Sequence, residues 1–252
     1  MKILASDFDN TLLFYDGMRE NDLKAIKEFQ KQGNLFGVCT GRTLEGIERS
    51  SKDFDIDYDF YILTTGSLIL NKNKDIILQK KIPMKVAKKL RELVCDDIHM
   101  SIVCQGKVYH LDKHNTSTYP GIKIKNIEEI NAEEIDACGF HYPRGEIQAA
   151  RVMINKIKDE LSNQVSAFQN NEHIDLTSLG CSKGKGIDII KDYFHLNLKD
   201  VYGIGDSFND LPMFEHVGHS YTFDYSDQEV KEKADHVVTS LAECIDEILK
   251  ED

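Results

Sequence analysis

Asp7 and Asp9 stand one residue apart, directly after the apolar run Ile3-Leu4-Ala5. Two carboxylates about 4 Å apart repel by roughly 4 kcal/mol at an effective dielectric near 20, so the pair needs a proton, a cation or a turn that points them apart. A second acidic turn, Gly205-Asp206-Ser207-Phe208-Asn209-Asp210, follows the apolar residues 201–204. Asp7, Asp9, Asp206 and Asp210 make a hard-oxygen set suited to Mg2+, which takes a few carboxylates, retained waters and substrate phosphate. Thr40, before Gly41-Arg42, and Lys183, in Gly180-Cys181-Ser182-Lys183-Gly184-Lys185-Gly186, are available as phosphate ligands.

Simpler readings compete with this chemistry. An Asp-rich turn after a strand is often only a turn or a helix cap. A calcium loop fails, because Leu12 stands where glycine is required and Met18 where a bidentate glutamate belongs. The Lys183 segment is out of register for a P-loop. As a lysine pair at a helix start it opposes the helix dipole, which favours a nearby anion as the reason for it. What lifts the acidic turns above a capping role is that both follow expected strands.

Those strands are legible as alternation. Residues 3–6, 35–39 and 60–63 read as strands, 21–32 and 43–51 as helices, with Gly33 closing the first helix and a hairpin over residues 67–79. After residue 82 the pattern becomes α+β: a helix over 86–94, strands over 100–104 and 107–111, a loop with Tyr119-Pro120-Gly121, a segment 133–138, a helix over 145–164 and a hairpin over 165–176. Alternation resumes with a helix from Gly184 to Phe194, strands at 201–204, 220–223 and 237–238, a short helix near Asn209 and a last helix through Leu249. The expected fold is α/β: a doubly wound, mostly parallel Rossmann-like core of residues 1–81 and 177–252, with an α+β domain of residues 82–176 inserted. Ligands of such sheets bind beyond the carboxyl ends of the strands, where three polar clusters distant in sequence would meet.

Composition narrows the partners. A formal net charge of -12 over 252 residues argues against nucleic acid, and 41% hydrophobic residues suffice for a real core. No apolar stretch is long enough to span a bilayer, and the acidic start is unlike a signal peptide, so a cytoplasmic protein without a membrane partner is expected. Six scattered cysteines without a CxxC pair read as free thiols.

In this order, Asp7-Phe8-Asp9-Asn10-Thr11, Thr40-Gly41-Arg42, Lys183-Gly184 and Gly205-Asp206-Ser207-Phe208-Asn209-Asp210 resemble the four motifs of the haloacid dehalogenase-like superfamily. The position and α+β pattern of the insert are similar to the Cof-like branch with a type IIB cap. The resemblance implies a Mg2+-dependent phosphatase acting on a small phosphate ester, a phosphorylated metabolite such as a sugar phosphate or a phosphorylated cofactor. Asp7 would be the nucleophile, forming an aspartyl-phosphate, and Asp9 the general acid and base. Asp7, the backbone carbonyl of Asp9, Asp206 and Asp210 would serve the metal, while Thr40, Gly41, Arg42, Lys183 and Asn209 would surround the phosphoryl group. A phosphomutase or phosphotransferase is the near alternative, and a non-catalytic phosphometabolite sensor the distant one. Asn10 stands where this branch commonly has glycine, and Thr64-Thr65-Gly66-Ser67 where it often has Asn-Gly-Ala, so Thr65 occupies the place of a substrate-facing asparagine.

The remaining polar residues offer less. His141, Tyr142 and Arg144 read as a capped surface turn, with a ligand pocket as the alternative. His110 and His114 read as surface residues, His216 and His219 receive no role, and Lys85, Lys88 and Lys89 fit a solvated helix face better than a Schiff base.

Overall fold

A computed structural model of the chain describes residues 1–111 and 120–251, and divides into two compact units, Met1–Leu78 with Ser182–Asp252, and Gln79–Cys181. His114 lies outside the described residues. The first stretch alternates: β1 (Ile3–Ser6), α1 (Glu20–Lys31), β2 (Leu35–Cys39), α2 (Leu44–Ser51), β3 (Phe60–Leu63), β4 (Leu68–Asn71) and β5 (Ile76–Gln79). α1 turns Ile26 and Phe29 inward. α2 starts one residue later than the sequence suggests, because Thr43 is its N-cap and accepts the Gly46 amide at 3.1 Å.

Next come β6 (Ile82–Pro83), α3 (Met84–Leu93), β7 (His99–Cys104), β8 (Lys107–Leu111), β9 (Ile122–Ile124), β10 (Glu134–Ile135), β11 (Ala137–His141), α4 (Ile147–Leu161), β12 (Val165–Asn170) and β13 (His173–Ser178). The chain then returns through α5 (Lys183–Tyr193), β14 (Val201–Ile204), α6 (Leu211–Phe214), β15 (His219–Phe223), α7 (Gln228–Lys231), β16 (His236–Val238) and α8 (Leu241–Lys250). α4 begins after Gly145, whose φ of +88° a helix cannot use. β9 falls in a stretch that reads as loop; it is a three-residue strand parallel to β8, too short for its alternation to register.

In the first unit the sheet order is β16-β15-β14-β1-β2-β3-β4-β5, and among the register pairs from β16 to β4 only β3 with β4 is antiparallel. All four residues of β1 are buried, as a central strand covered on both faces requires. Leu4 packs with Ile26 and Phe29 of α1 and Leu241, Ile245 and Ile248 of α8. Ile3 and Ala5 point the other way, to Ile187 and Ile190 of α5 and Met213 of α6. This is the doubly wound α/β arrangement expected from the alternation.

The second unit holds a six-stranded sheet, β12-β13-β11-β7-β8-β9, and a two-stranded antiparallel pair of β10 with β6. Met100, Ile102, Phe140, Ile174 and Leu176 face a core completed by Val86 and Leu90 of α3 and Ile154 and Ile157 of α4. Successive strand residues alternate between faces, so His99, Ser101, His141, His173 and Asp175 share the other one. Among the described residues, no helix is long and apolar enough to cross a membrane.

Candidate active site

The carboxyl end of β1 is where the first acidic pair falls. The Asp7 amide extends the ladder by donating to the Ile204 carbonyl at 2.9 Å, and the next residues leave the sheet in a turn in which the Leu12 and Leu13 amides bond the Phe8 carbonyl. Asn10 takes a left-handed φ of 58° there, a conformation asparagine tolerates as glycine does. Tyr225 secures the turn by donating its hydroxyl to the Asn10 carbonyl at 2.6 Å.

Beyond β14, Asp210 closes the second turn. Its Oδ2 accepts the amides of Asp206 and Ser207 at 3.1 and 3.0 Å, in a reciprocal cap with Ser207. A side chain on Gly205 would lie 2.3 Å from the Asp210 Cγ, so this turn requires glycine before Asp206.

Lys183, the first residue of α5, joins the two turns. Its ammonium is fully buried and lies 2.5 Å from both Asp7 Oδ1 and Asp210 Oδ1. Lys183 is shielded from solvent, and the anions that offset its unfavourable place at a helix start are two carboxylates of the protein itself. Ser182 caps α5 by accepting the Lys185 amide at 3.0 Å, which fixes the first turn that carries Lys183. Gly66, with φ of +88°, lets the 64–66 turn press against that cap: a side chain there would fall 2.1 Å from the Ser182 carbonyl oxygen.

Asp7, Asp206 and Asp210 each offer an oxygen within 4.8 Å of the others. At that spacing each carboxylate pair repels by about 3 to 4 kcal/mol at an effective dielectric of 20, and one ammonium does not balance three negative charges. Burial, and then the charges of Asp210 and Asp206, push Asp7 well above the usual carboxylate range, while Lys183 pulls it back. Burial and Asp210 push Asp206 up to about 7 against Lys183 and the Thr11 hydroxyl, which donates to Asp206 Oδ1 at 3.1 Å. For Lys183 burial disfavours the charge, but Asp210 and Asp7 outweigh it and hold the ammonium well above its ordinary value. A hard-oxygen donor set with surplus negative charge fits a divalent cation such as Mg2+.

Asp9 stands apart from this cluster. Arg42 grips it with two bonds, Nε to Oδ2 at 2.8 Å and Nη2 to Oδ1 at 2.6 Å, gives its third nitrogen to Ser50 at 2.7 Å, and lies over the Phe8 ring. Thr40 is buried at the end of β2; its amide donates to the Ile62 carbonyl and its hydroxyl accepts the Arg42 amide at 3.2 Å. Gly41 next to it is exposed, and Asn209 is buried in the turn beside Asp210. Thr65 is buried with φ of 55°, its amide bonded to the Thr40 carbonyl.

The structure thus gathers Asp7, Asp206, Asp210 and Lys183, and ties Arg42 to Asp9. The sequence reading assigned nothing to Thr11, Tyr225 or Ser182. Ser182 was open to recognition as a cap before a helix, whereas Tyr225 becomes a neighbour of Asn10 only through the fold.

Two of the histidines change place. His110 is buried rather than on the surface, and His141 lies in β11 rather than in a turn, because the strand continues to the edge of its ladder. His216 pairs with Asp188 at 2.9 Å.

A family model for haloacid dehalogenase-like hydrolases matches residues 4–246. The Bacillus subtilis 5-amino-6-(5-phospho-D-ribitylamino)uracil phosphatase YwtE is 24% identical, over 99% of this chain and 98% of that protein. A HAD/COF-like hydrolase from Plasmodium vivax superposes with a TM-score of 0.86 at 18% identity, over 100% of this chain and 96% of that one. A HAD subclass IIB sugar phosphatase superposes with a TM-score of 0.79 at 19% identity, over 97% and 95%. At such identities the superpositions establish the fold.

Proposed function

The chain belongs to the haloacid dehalogenase-like hydrolases, and on that basis we propose that it is a phosphatase for a small phosphorylated metabolite of the sugar- or polyol-phosphate class. The observation that carries this reading is the buried Lys183 held between Asp7 and Asp210 with Asp206 beside them. The substrate class rests on the relatives, one a phosphatase of a phosphoribityl compound and one a sugar phosphatase.

Asp7 is the nucleophile. Its carboxylate attacks phosphorus, the bond from phosphorus to the ester oxygen breaks, and an aspartyl-phosphate forms. Asp9 gives a proton to the departing alcohol and then takes one from the water that hydrolyses the acyl phosphate, returning Asp7 and inorganic phosphate. Thr40, the Gly41 amide, Arg42, Lys183 and Asn209 orient the phosphoryl oxygens. Asp7, Asp206 and the Asp9 carbonyl, with Asp210 behind, would hold Mg2+, which would supply neutralisation of charge on those oxygens. Arg42 holds both Asp9 oxygens, so proton transfer requires that grip to open. A phosphate at the Thr40-Gly41 turn offers the guanidinium a more highly charged partner and releases Asp9.

The test is hydrolysis of a panel of phosphate monoesters, sugar and polyol phosphates among them, by purified protein with and without Mg2+, beside Asp7→Asn. Metal-dependent turnover that Asp7→Asn abolishes is the expected result. A folded, metal-binding protein that turns over no member overturns the phosphatase assignment in favour of phosphoryl transfer to another acceptor or of ligand sensing.

A further inference from the structure

Four histidines lie side by side on one face of the sheet in the second unit, opposite the face that packs on α3 and α4. His99, His141 and His173 are directly abreast on the adjacent strands β7, β11 and β13, and His110 on β8 follows, one step along the strands and opposite Ser101. The rings touch in sequence: His141 Nδ1 is 3.2 Å from His173 Nδ1, His99 Nε2 is 3.0 Å from His110 Nδ1, and the His99 and His141 rings stack with centroids 4.8 Å apart. We propose that this row is a binding site for one late first-row divalent cation, Zn2+, Ni2+ or Cu2+, with the Nδ1 atoms of His141 and His173 as its chelating pair.

Distance supports the choice of atoms. At metal–nitrogen bonds of about 2.0 to 2.1 Å, two ligands of one ion are about 2.9 Å apart at a right angle and about 3.3 Å apart at the tetrahedral angle. The 3.2 Å Nδ1 pair falls inside that interval.

The other ring nitrogens support the tautomer. Both Nδ1 atoms must carry lone pairs to bind metal, so each Nε2 must carry the hydrogen. His141 Nε2 lies 2.8 Å from the Ser101 hydroxyl, which can accept that hydrogen and orient the ring. Beside this contact, a side chain on Gly139 would fall 2.9 Å from the Ile174 carbonyl oxygen, so the close approach of β13 requires glycine there.

Protonation works in the same direction. Burial, and then the neighbouring His99, His173 and His110, push His141 down to about 3, so this ligand carries no competing proton near neutral pH. Imidazole donors select late transition metals, whereas the carboxylates of the first unit select a hard cation, so the two sites differ in preference.

The experiment uses untagged full-length protein in excess Mg2+, titrated with Cu2+ alone and followed by calorimetry and by the nitrogen hyperfine splitting of its electron paramagnetic resonance spectrum. One equivalent bound through imidazole nitrogen is expected, weakened at least about tenfold in His173→Gln and unchanged in His236→Gln, a histidine on β16 of the other unit. Absence of nitrogen ligation in the wild type, or equal affinity in His173→Gln, overturns the proposal. Should His173→Gln fail to fold, diethyl pyrocarbonate labelling of the wild type decides: Zn2+ must protect His173, and equal labelling with and without Zn2+ refutes the site.

Discussion

The carboxylate cluster of the first unit and the histidine row of the second are built in opposite ways. In the first, a parallel sheet brings strand ends together, and Asp7, Lys183, Asp206 and Asp210 meet because β1, α5 and β14 all present their termini at one edge. In the second, antiparallel strands lay their side chains across a face, and His99, His141 and His173 meet because their register places them opposite one another. The first cluster mixes signs and is held by a buried cation. The second is a row of like groups in which burial and the neighbouring rings favour the neutral form of His141.

The largest break between them should come from removing one member of each. Lys183→Met leaves Asp7 and Asp210 buried without their cation, and should lower stability by about 3 to 5 kcal/mol in urea unfolding. His173→Gln should cost under about 1 kcal/mol, since the residue is only partly buried. Equal losses would mean the two clusters are not different in kind.

Opposite responses to pH come next. Asp206 is raised from 3.8 to about 7, so in metal-free protein its contribution is present below about pH 4 and lost as pH rises through about 7, and Asp7, raised by burial, acts in the same direction. The loss is on the order of a few kcal/mol, and Mg2+ should reverse it. His141 is lowered from 6.5 to about 3, so its contribution is present above 6.5 and lost as pH falls through that window. Chelator-treated protein followed by hydrogen exchange, corrected for intrinsic rates, should show the first unit weaker at pH 8 than at pH 5 and the second weaker at pH 5. Parallel behaviour of both units would refute the comparison.

Arg42→Ala sharpens it within the first unit. The Arg42–Asp9 pair is half exposed and contributes little to stability. Loss of the guanidinium should therefore leave the melting temperature nearly unchanged while lowering kcat/KM about tenfold or more. Ser182→Ala should cost about 1 kcal/mol in stability from the lost cap, with a fall in kcat if Lys183 loses its orientation.

What could be read from the sequence follows the same division. The strand-end residues are legible because each sits just after a short apolar run, so Asp7, Thr40 and Asp206 announce both the strand and the site. Their electrostatic pairing was not legible: nothing in Ser182-Lys183-Gly184 says that the ammonium lies between Asp7 and Asp210 rather than in solvent. The histidine row was hidden for a different reason. Alternation gives the two faces of a strand, but register between strands decides which residues stand abreast, and His99, His141 and His173 are separated by long intervening segments. His110 and His141 were accordingly assigned to a surface and a turn.

The place of β1 has a consequence for the chain as it is made. Its partner on one side, β2, follows within about 30 residues, but its partner on the other, β14, is encoded roughly 200 residues later. At about 5 to 20 residues per second, that edge waits on the order of 10 to 40 s for its neighbour to leave the ribosome. All of Gln79–Cys181 emerges in the interval and can fold first. During translation the most buried strand of the finished protein is therefore the one left open longest, and a nascent-chain chaperone would find its binding segment at residues 3–6.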